Sequence, residues 1–365
     1  MLARKFVGLL ALSALAIGLP AAEMTASLKA GKAGLQSAGV MAFGPDGILF
    51  VGDSTGGAVW ALDSGDRTAS PAKPVEIAAA NQKIAAMLGT AADQILINDM
   101  AVNPISKRVY FSVSRGRGPE ATGVILRTNS KGELEELALD NIKFSKAAIP
   151  DVPDPSQKDR RGQSFRMEAI TDIGFMDGKV FIAGLSNQEF SSNLRAIPFP
   201  FASVEKGTSV EIYHGSHGRF ETNSPVRTFV PYETKKSQYI LAAYTCTPLV
   251  KVPVSALKPG AKVTGVTIAE LGNRNRPLDM IVYSKSGKEY ILMNNSSRGV
   301  MKMGTGAVES TEAITAPVPD KAGLTYETIA EWKGVQQLDA FDGSHAVVLM
   351  DAGNGAMDLK TIALP

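Results

Sequence analysis

The chain has 365 residues, of which 38 are lysine or arginine and 36 are aspartate or glutamate, so its formal net charge is +2 at pH 7. A charge so close to zero gives no support for binding to nucleic acid or to an anionic membrane surface. A single cysteine, Cys246, excludes an internal disulfide, so we expect packing to provide the stability of the fold.

The amino-terminal segment has the pattern of a secretory signal. Arg4 and Lys5 precede an uncharged stretch over residues 6–19, and the small residues Ala21 and Ala22 follow it. We therefore expect residues 1–22 to be removed on export and residues 23–365 to form one periplasmic or extracellular domain. The apolar stretch is shorter than the roughly 20 residues of a membrane-spanning helix, so no membrane insertion of the mature chain is expected. Retention of the uncleaved segment as an anchor is the alternative.

A unit of two apolar strands joined by a turn recurs along the chain. Its six copies cover residues 40–53, 99–112, 172–183, 226–243, 279–293 and 339–349. Most copies are rich in Val, Ile, Tyr and Phe and carry Pro-Asp-Gly, Asn-Pro, Asp-Gly or Ser-Gly at the turn, which is the composition of β-hairpins. In several copies a third apolar strand follows after Gly, Asn or Ser.

Repetition of such units predicts an all-β protein that forms a single β-propeller of six blades. Successive units begin farther apart than the roughly 40 to 50 residues of compact propeller repeats, which leaves room for inserted segments between blades. Seven blades would result if residues 209–213 belonged to a separate unit, and a two-sheet sandwich is the structural alternative.

Two insertions differ from the repeated units. Residues 76–88 carry Ile77, Ala80 and Ile84 on one helical face, which predicts a short amphipathic helix that packs against the blades. Residues 146–166 hold three prolines and a basic run, which is typical of a surface loop. A lid over one face of the propeller is the alternative for this loop.

The unit Phe43-Gly-Pro-Asp-Gly-Ile-Leu-Phe-Val-Gly-Asp53, echoed by Asp99-Met-Ala-Val-Asn-Pro104, resembles the repeats of six-bladed propellers of the gluconolactonase/regucalcin and NHL-repeat kind. The resemblance covers most of the mature chain and implies the same fold. Propellers of this shape include lactonases, esterases, binding scaffolds and sensors. The lactonases hold a divalent metal with an early glutamate, two asparagines and an aspartate. Residues 37–43 contain no glutamate, so the resemblance assigns no catalytic residue here.

An acidic residue opens the inner strand in four of the units, at Asp99, Asp172, Asp279 and Asp339. Corresponding positions of different blades meet near the axis of a propeller, and carboxylates together with the oxygen of Asn98 suit a hard cation such as Ca²⁺. The alternative is structural, because an aspartate at the start of a strand commonly bonds neighbouring backbone amides.

Further polar residues are expected to bind a ligand beside this channel. Glu168, Arg276 and Gln337 lie close in sequence to the acidic positions. Two of the three histidines fall in residues 213–221, and with Cys246 they would suit copper. Their spacing matches no copper or zinc motif, so we expect His217 and Arg219 to line a polar entrance instead.

These patterns favour an exported β-propeller that binds a small molecule or a protein partner, with room for a divalent cation in the channel. The alternative is a metal-dependent lactone or ester hydrolase, in which Asp279 or Glu168 activates water. The sequence does not decide whether the chain is an enzyme.

Overall fold

The computed structural model describes residues 21–71, 73–246 and 248–365. Residues 1–20, which hold most of the expected signal peptide, lie outside the described residues. Strands dominate the described chain, and its two α-helices are short, with α1 at Ala21–Ala26 and α2 at Ala80–Met87. No helix in this part of the chain is both long and apolar enough to cross a membrane.

Twenty-seven strands are found in the described residues. Strands β1 to β10 are Lys29–Gly31, Met41–Phe43, Ile48–Asp53, Ala58–Asp63, Glu76–Ile77, Ile95–Val102, Val109–Arg115, Thr122–Thr128, Leu134–Glu136 and Ile142–Ala148. Strands β11 to β19 are Asp172–Met176, Lys179–Leu185, Ser192–Pro198, Thr208–His214, Arg219–Glu221, Val226–Glu233, Gln238–Tyr244, Pro248–Pro253 and Lys262–Leu271. Strands β20 to β27 are Pro277–Lys285, Lys288–Asn295, Gly299–Gly304, Lys321–Gly323, Glu327–Ile329, Val335–Ala340, His345–Gly353 and Ala356–Ala363.

The predicted hairpin turns form as their sequences require. Asp177 and Gly178 join β11 to β12 with φ values of 49° and 71°, and Ser286 and Gly287 join β20 to β21 with φ values of 53° and 73°. Two consecutive residues with positive φ make the type I′ turn, whose twist matches that of paired strands, and glycine adopts this conformation at low cost. Local turn chemistry therefore sets the register of these hairpins.

Six inner strands surround a central channel. Going round the ring, each inner strand contacts the next in the order β2, β6, β25, β20, β16, β11 and back to β2. A sheet extends outward from each inner strand, and we call these groups blades 1 to 6 in the chain order of β2, β6, β11, β16, β20 and β25. The prediction of an all-β propeller is confirmed.

The hydrogen-bonded sheets are fewer than the inner strands. A parallel pairing of β14 with β19 joins blades 3 and 4 into one ten-stranded sheet, so the described chain forms five continuous sheets. Residues 209–213, the possible start of a separate unit, lie instead in β14, the outer strand of blade 3.

The chain does not visit the blades in their order around the ring. Blade 1 lies between blades 2 and 3, and blade 2 lies between blades 1 and 6. After β4 the chain adds β5 to the outer edge of blade 6, then forms blade 2, and returns to blade 1 as β10. The first two blades are therefore interleaved, and β5 pairs with β27 near the carboxyl end of the chain.

Apolar clusters fill the spaces between neighbouring blades. Between blades 1 and 3, for example, Phe50 stacks on Phe175 with ring centroids 5.6 Å apart and meets Phe199 edge-on at 5.1 Å. Five similar clusters lie between the other neighbours. The core is thus a ring of apolar layers around a polar axis.

The inserted helix is shorter than the sequence predicted. Residues 80–87 are helical, but Glu76 and Ile77 form β5 instead. Ile84 and Ala80 are fully buried in the cluster between blades 6 and 2, which confirms that the helix packs against the blades. Ala79 is in the left-handed conformation, with φ 49°, which a right-handed helix cannot include, so the helix begins at Ala80 and residues 76–77 pair with β27 instead.

Candidate ligand site at the start of the inner strands

The inner strands begin at one face of the ring, which we call the start face. Four of them carry a β-bulge near this face. The pairing register shifts immediately before Asp99, Thr228, Asp279 and Gln337, so these four residues occupy the same step on their strands. A bulge inserts one unpaired residue and re-aims its side chain. Arg227 is the inserted residue of blade 4.

The sequence suggested that Asp339 corresponds to the other three aspartates, and the structure shows that it does not. Gln337 occupies the equivalent step in blade 6, and Asp339 lies deeper along β25. Asp339 stands two residues beyond that step, so its side chain keeps the same face of the strand and points into the channel at a deeper level. Gln337 therefore joins the polar groups of the start face.

Each aspartate bonds two backbone amides. One carboxylate oxygen accepts from the next residue of its own strand, and the other accepts from the neighbouring inner strand. The pairs are Met100 N (2.8 Å) and Met41 N (2.6 Å) for Asp99, Ile173 N (2.8 Å) and Phe229 N (2.6 Å) for Asp172, Met280 N (2.8 Å) and Leu338 N (2.8 Å) for Asp279, and Ala340 N (2.7 Å) and Val102 N (2.7 Å) for Asp339. The four carboxylates thus tie adjacent blades together.

All four aspartates line one channel cavity of about 370 Å³. Loss of hydration there raises the pKa of Asp172 to about 7, that of Asp279 to about 8 and that of Asp339 to about 6. It also raises the pKa of Asp99 well above its ordinary value, and the negative charges of Asp279 and Asp172 raise it further. The channel therefore holds carboxyl groups that titrate near neutral pH.

The channel aspartates do not form a compact ligand cluster. Among the described residues, one group of three or more His, Cys, Asp or Glu side chains offers ligand atoms within 4.8 Å of one another, and it consists of His214, His217 and Glu221. The amide nitrogen of Asn98 donates to Ala38 O at 2.7 Å and to Ser114 Oγ at 2.8 Å. Calcium in the channel remains a prediction.

Above the aspartates, charged side chains surround a cavity of about 250 Å³ at the start face. The guanidinium of Arg227 binds Glu168 Oε2 at 2.6 Å. Arg276 lines the same cavity, and loss of hydration and the positive charge of Arg227 lower its pKa, partly offset by Glu168. With one carboxylate against two guanidiniums, these three residues carry one excess positive charge.

The guanidinium of Arg276 has no hydrogen bond or ion pair within the described part of the chain. It also lines a second cavity of about 800 Å³, which it shares with Asn98 and Gln337. Gln337 Oε1, in the wall of the second cavity, and Thr171 Oγ1, in the wall of the first, are buried atoms without a hydrogen-bond partner among the described residues. A buried polar atom without a partner costs free energy, so these two oxygens are suited to binding a polar ligand.

The structure brings together some of the predicted ligand residues and separates others. Glu168, Arg276 and Gln337 lie at the start face, around these two cavities. His217 and Arg219 line neither of them, nor the channel cavity. They belong to the hairpin of β14 and β15, at the outer part of blade 3.

Arg227 and Thr171 were not predicted as site residues. Thr171 directly precedes Asp172, as Asn98 precedes Asp99, so its position next to an aspartate was a usable signal. Arg227 belongs to a unit that has a threonine, Thr228, where other units have the aspartate. Its side chain points towards the cavity because of the bulge at this position, and the sequence does not reveal that bulge.

Comparisons with known proteins support no functional assignment. No protein-family model and no curated protein matches the chain. Solved structures that resemble it include Drosophila Semaphorin 1b, extracellular domains 1–2, at 10% identity over 93% of this chain and 87% of that chain, with a TM-score of 0.41. The PQQ-bound aldose sugar dehydrogenase of Streptomyces coelicolor matches at 12% identity over 92% and 96% of the two chains, with a TM-score of 0.34. At this similarity, neither name transfers to this chain.

An engineered GH43 glycoside hydrolase also resembles the chain, at 12% identity over 74% of this chain and 52% of that chain, with a TM-score of 0.35. None of these three structures is named as a gluconolactonase, a regucalcin or an NHL-repeat protein. The ring of blades in this structure supports the resemblance drawn from the sequence as far as a propeller, and its finer family assignment remains a prediction.

Proposed function

We propose that this chain is an exported β-propeller that binds a small organic anion at its start face. The observation that carries the proposal is the guanidinium of Arg276, which faces two cavities beside the Arg227–Glu168 pair and has no partner within the described residues. A carboxylate is the natural partner of such a guanidinium, because the planar fork of N–H donors binds both of its oxygens.

Neighbouring groups favour an anion that also carries hydroxyl or amide groups. The buried oxygens of Gln337 and Thr171 have no partner in the described structure, and both lie in the walls that Arg276 lines. A ligand donor that bonds either oxygen would remove the cost of leaving it unpaired.

Apolar side chains complete the site. Met167 lines the smaller cavity and is 58% exposed, and Leu96 lines the larger one and is 50% exposed. Ligand sites commonly combine an apolar wall with a few placed polar groups. We therefore expect an organic carboxylate rather than an inorganic ion, and an acidic segment of a protein partner would present the same chemistry.

Thermal-shift measurements and calorimetry with succinate and citrate, and with glucose as an uncharged control, test the proposal. We expect at least one carboxylate to raise the melting temperature and glucose to leave it unchanged. Arg276→Gln should weaken binding at least tenfold, since it removes a charge-assisted contact of about 1.5–3 kcal/mol. Arg274→Gln, an exposed position in the same loop, is the matched control and should bind like the wild type.

Two results would contradict an anion site. One is binding of glucose as strong as that of the carboxylates. The other is an Arg276→Gln variant that retains the wild-type affinity for every probe. Recovery of the mature protein from the periplasm with a new amino terminus near Glu23 would test export separately.

A metal-dependent lactone or ester hydrolase is the second candidate, favoured by the four carboxyl groups that face the channel. Hard oxygen ligands suit Ca²⁺, and a carboxyl with a pKa of about 8, as for Asp279, can exchange a proton at neutral pH. This function predicts near-stoichiometric calcium in the purified protein and loss of lactone hydrolysis in Asp279→Asn. Metal-free protein without such activity would exclude it.

A further inference from the structure

The hairpin of β14 and β15 gathers two of the three histidines of the chain around one glutamate. His214 is the last residue of β14, and it is paired with Arg219 at the start of β15. A short 3₁₀ turn over Gly215–His217 returns the chain, and Glu221 ends β15. The tight turn therefore places residues 214, 217 and 221 on one side of the hairpin.

The three side chains already touch. His214 Nδ1 lies 3.0 Å from Glu221 Oε2, and His217 Nδ1 lies 2.7 Å from Glu221 Oε1. The two imidazole rings are 3.9 Å apart between centroids. All three residues offer ligand atoms within 4.8 Å of one another.

A second observation concerns the other nitrogen of His214. The residue is only 2% exposed, and its Nε2 atom is buried without a hydrogen-bond partner in the described structure. A buried imidazole normally has both nitrogens satisfied. Because Nδ1 is the atom that faces Glu221, the unpaired Nε2 lies on the other edge of the ring and is not one of the atoms that the cluster offers to an ion.

A second carboxylate flanks the cluster. Glu270 Oε1 accepts a hydrogen bond from Gly215 N at 2.6 Å, and its Oε2 accepts from Ser216 Oγ at 3.2 Å. The turn that carries the histidines thus lies between two acidic residues, which favours a cation.

We propose that His214, His217 and Glu221 form a site for a transition-metal dication, with Zn²⁺ as the expected ion. Two imidazoles and a carboxylate are ligands that zinc prefers. With bonds of about 2.0–2.1 Å and tetrahedral angles, neighbouring ligand atoms stand about 3.3 Å apart. The present N···O distances of 3.0 and 2.7 Å are only slightly shorter, so a small displacement would admit the ion.

The surroundings leave a coordination position open to solvent. The side chain of His217 is 44% exposed, whereas that of Glu221 is 13% exposed. Arg219 Nε lies 3.5 Å from Glu221 Oε1, but its side chain is 72% exposed and can turn into solvent when a cation binds. A zinc site with three protein ligands and one open position binds a water molecule as its fourth ligand.

Zinc titration of the untagged full-length protein in a Cys246→Ser background tests the proposal. We expect one equivalent of Zn²⁺ to bind, and His217→Ala to weaken binding at least tenfold. His345→Ala is the matched control, because His345 is the third histidine and pairs with Asp342 elsewhere in the chain, so its loss should leave zinc affinity unchanged.

His217 is exposed, so its replacement should leave the fold intact, as circular dichroism can verify. If His217→Ala is nevertheless unstable, Glu221→Gln with Co²⁺ as the probe replaces it, since the visible absorption of Co²⁺ reports tetrahedral coordination. Wild-type protein that takes up no Zn²⁺ at 100-fold excess over protein would overturn the proposal. Equal affinity in His217→Ala, or in Glu221→Gln, would also overturn it. Neither result depends on the anion site, which lies elsewhere.

Discussion

The channel aspartates show how one residue type acquires two possible roles from its neighbours. Their oxygens accept backbone amides of adjacent blades, which is the structural alternative that the sequence left open. The same surroundings raise their pKa values towards neutrality. Sequence alone identified these residues, because an aspartate before an apolar run is a local signal. It could not show the partner amides, because they belong to neighbouring blades that are far away along the chain.

The raised pKa values predict that the free energy of unfolding falls between pH 6 and pH 8.5. A carboxyl whose pKa is higher in the folded state stabilises the fold at pH values below its unfolded pKa, near 4, and this contribution is lost as the pH rises through the folded pKa. For Asp279 the loss extends to about pH 8. The melting temperature should therefore be lower at pH 8.5 than at pH 6.

Replacement of Asp279 by Asn should flatten this pH dependence, because the amide does not ionise. Asp46→Asn, in the turn between β2 and β3, is the control and should keep the wild-type profile. A profile that is equally steep in Asp279→Asn would show that other groups determine the pH dependence of stability.

At the scale of single elements, α2 should contribute through one buried face. Ile84 is fully buried between blades 6 and 2, so Ile84→Ala should lower the free energy of unfolding by about 2–4 kcal/mol. Met87, at the end of the same helix, is 40% exposed, and Met87→Ala should change stability by less than about 1 kcal/mol. Urea denaturation of both variants checks the difference, and equal losses would contradict this packing of the helix.

Elements held by local chemistry were predictable, and those held by distant partners were not. The Asp-Gly and Ser-Gly turns mark their hairpins directly. In contrast, the very short β5 pairs with the last strand of the chain, and β10 pairs with β4 across an entire blade. No turn signal connects such strands. For this reason the local pattern predicted a helix at residues 76–77 and a loop at residues 146–148, where the structure has strands.

At the scale of the whole molecule, the pairing of β5 with β27 can be tested by a cross-link. Glu76 and Lys360 are direct partners, so cysteines at both positions in a Cys246→Ser background should oxidise to a disulfide. The cross-linked form should migrate differently from the reduced form in a non-reducing gel. Glu76→Cys with Lys288→Cys, which places the second thiol in blade 5, is the control. Failure of the first pair to cross-link would contradict the pairing of β5 with β27.

The interleaved order of the first two blades has a consequence for a chain that emerges from the ribosome one residue at a time. Blade 1 lacks β10 until residue 148 has been made, and β5 has no partner until residues 359–360 follow. The amino-terminal third must therefore wait, with strand edges unpaired, for the rest of the chain. Exposed edges of this kind favour association between chains. A nascent chain of this protein should accordingly depend on chaperone protection for most of its synthesis.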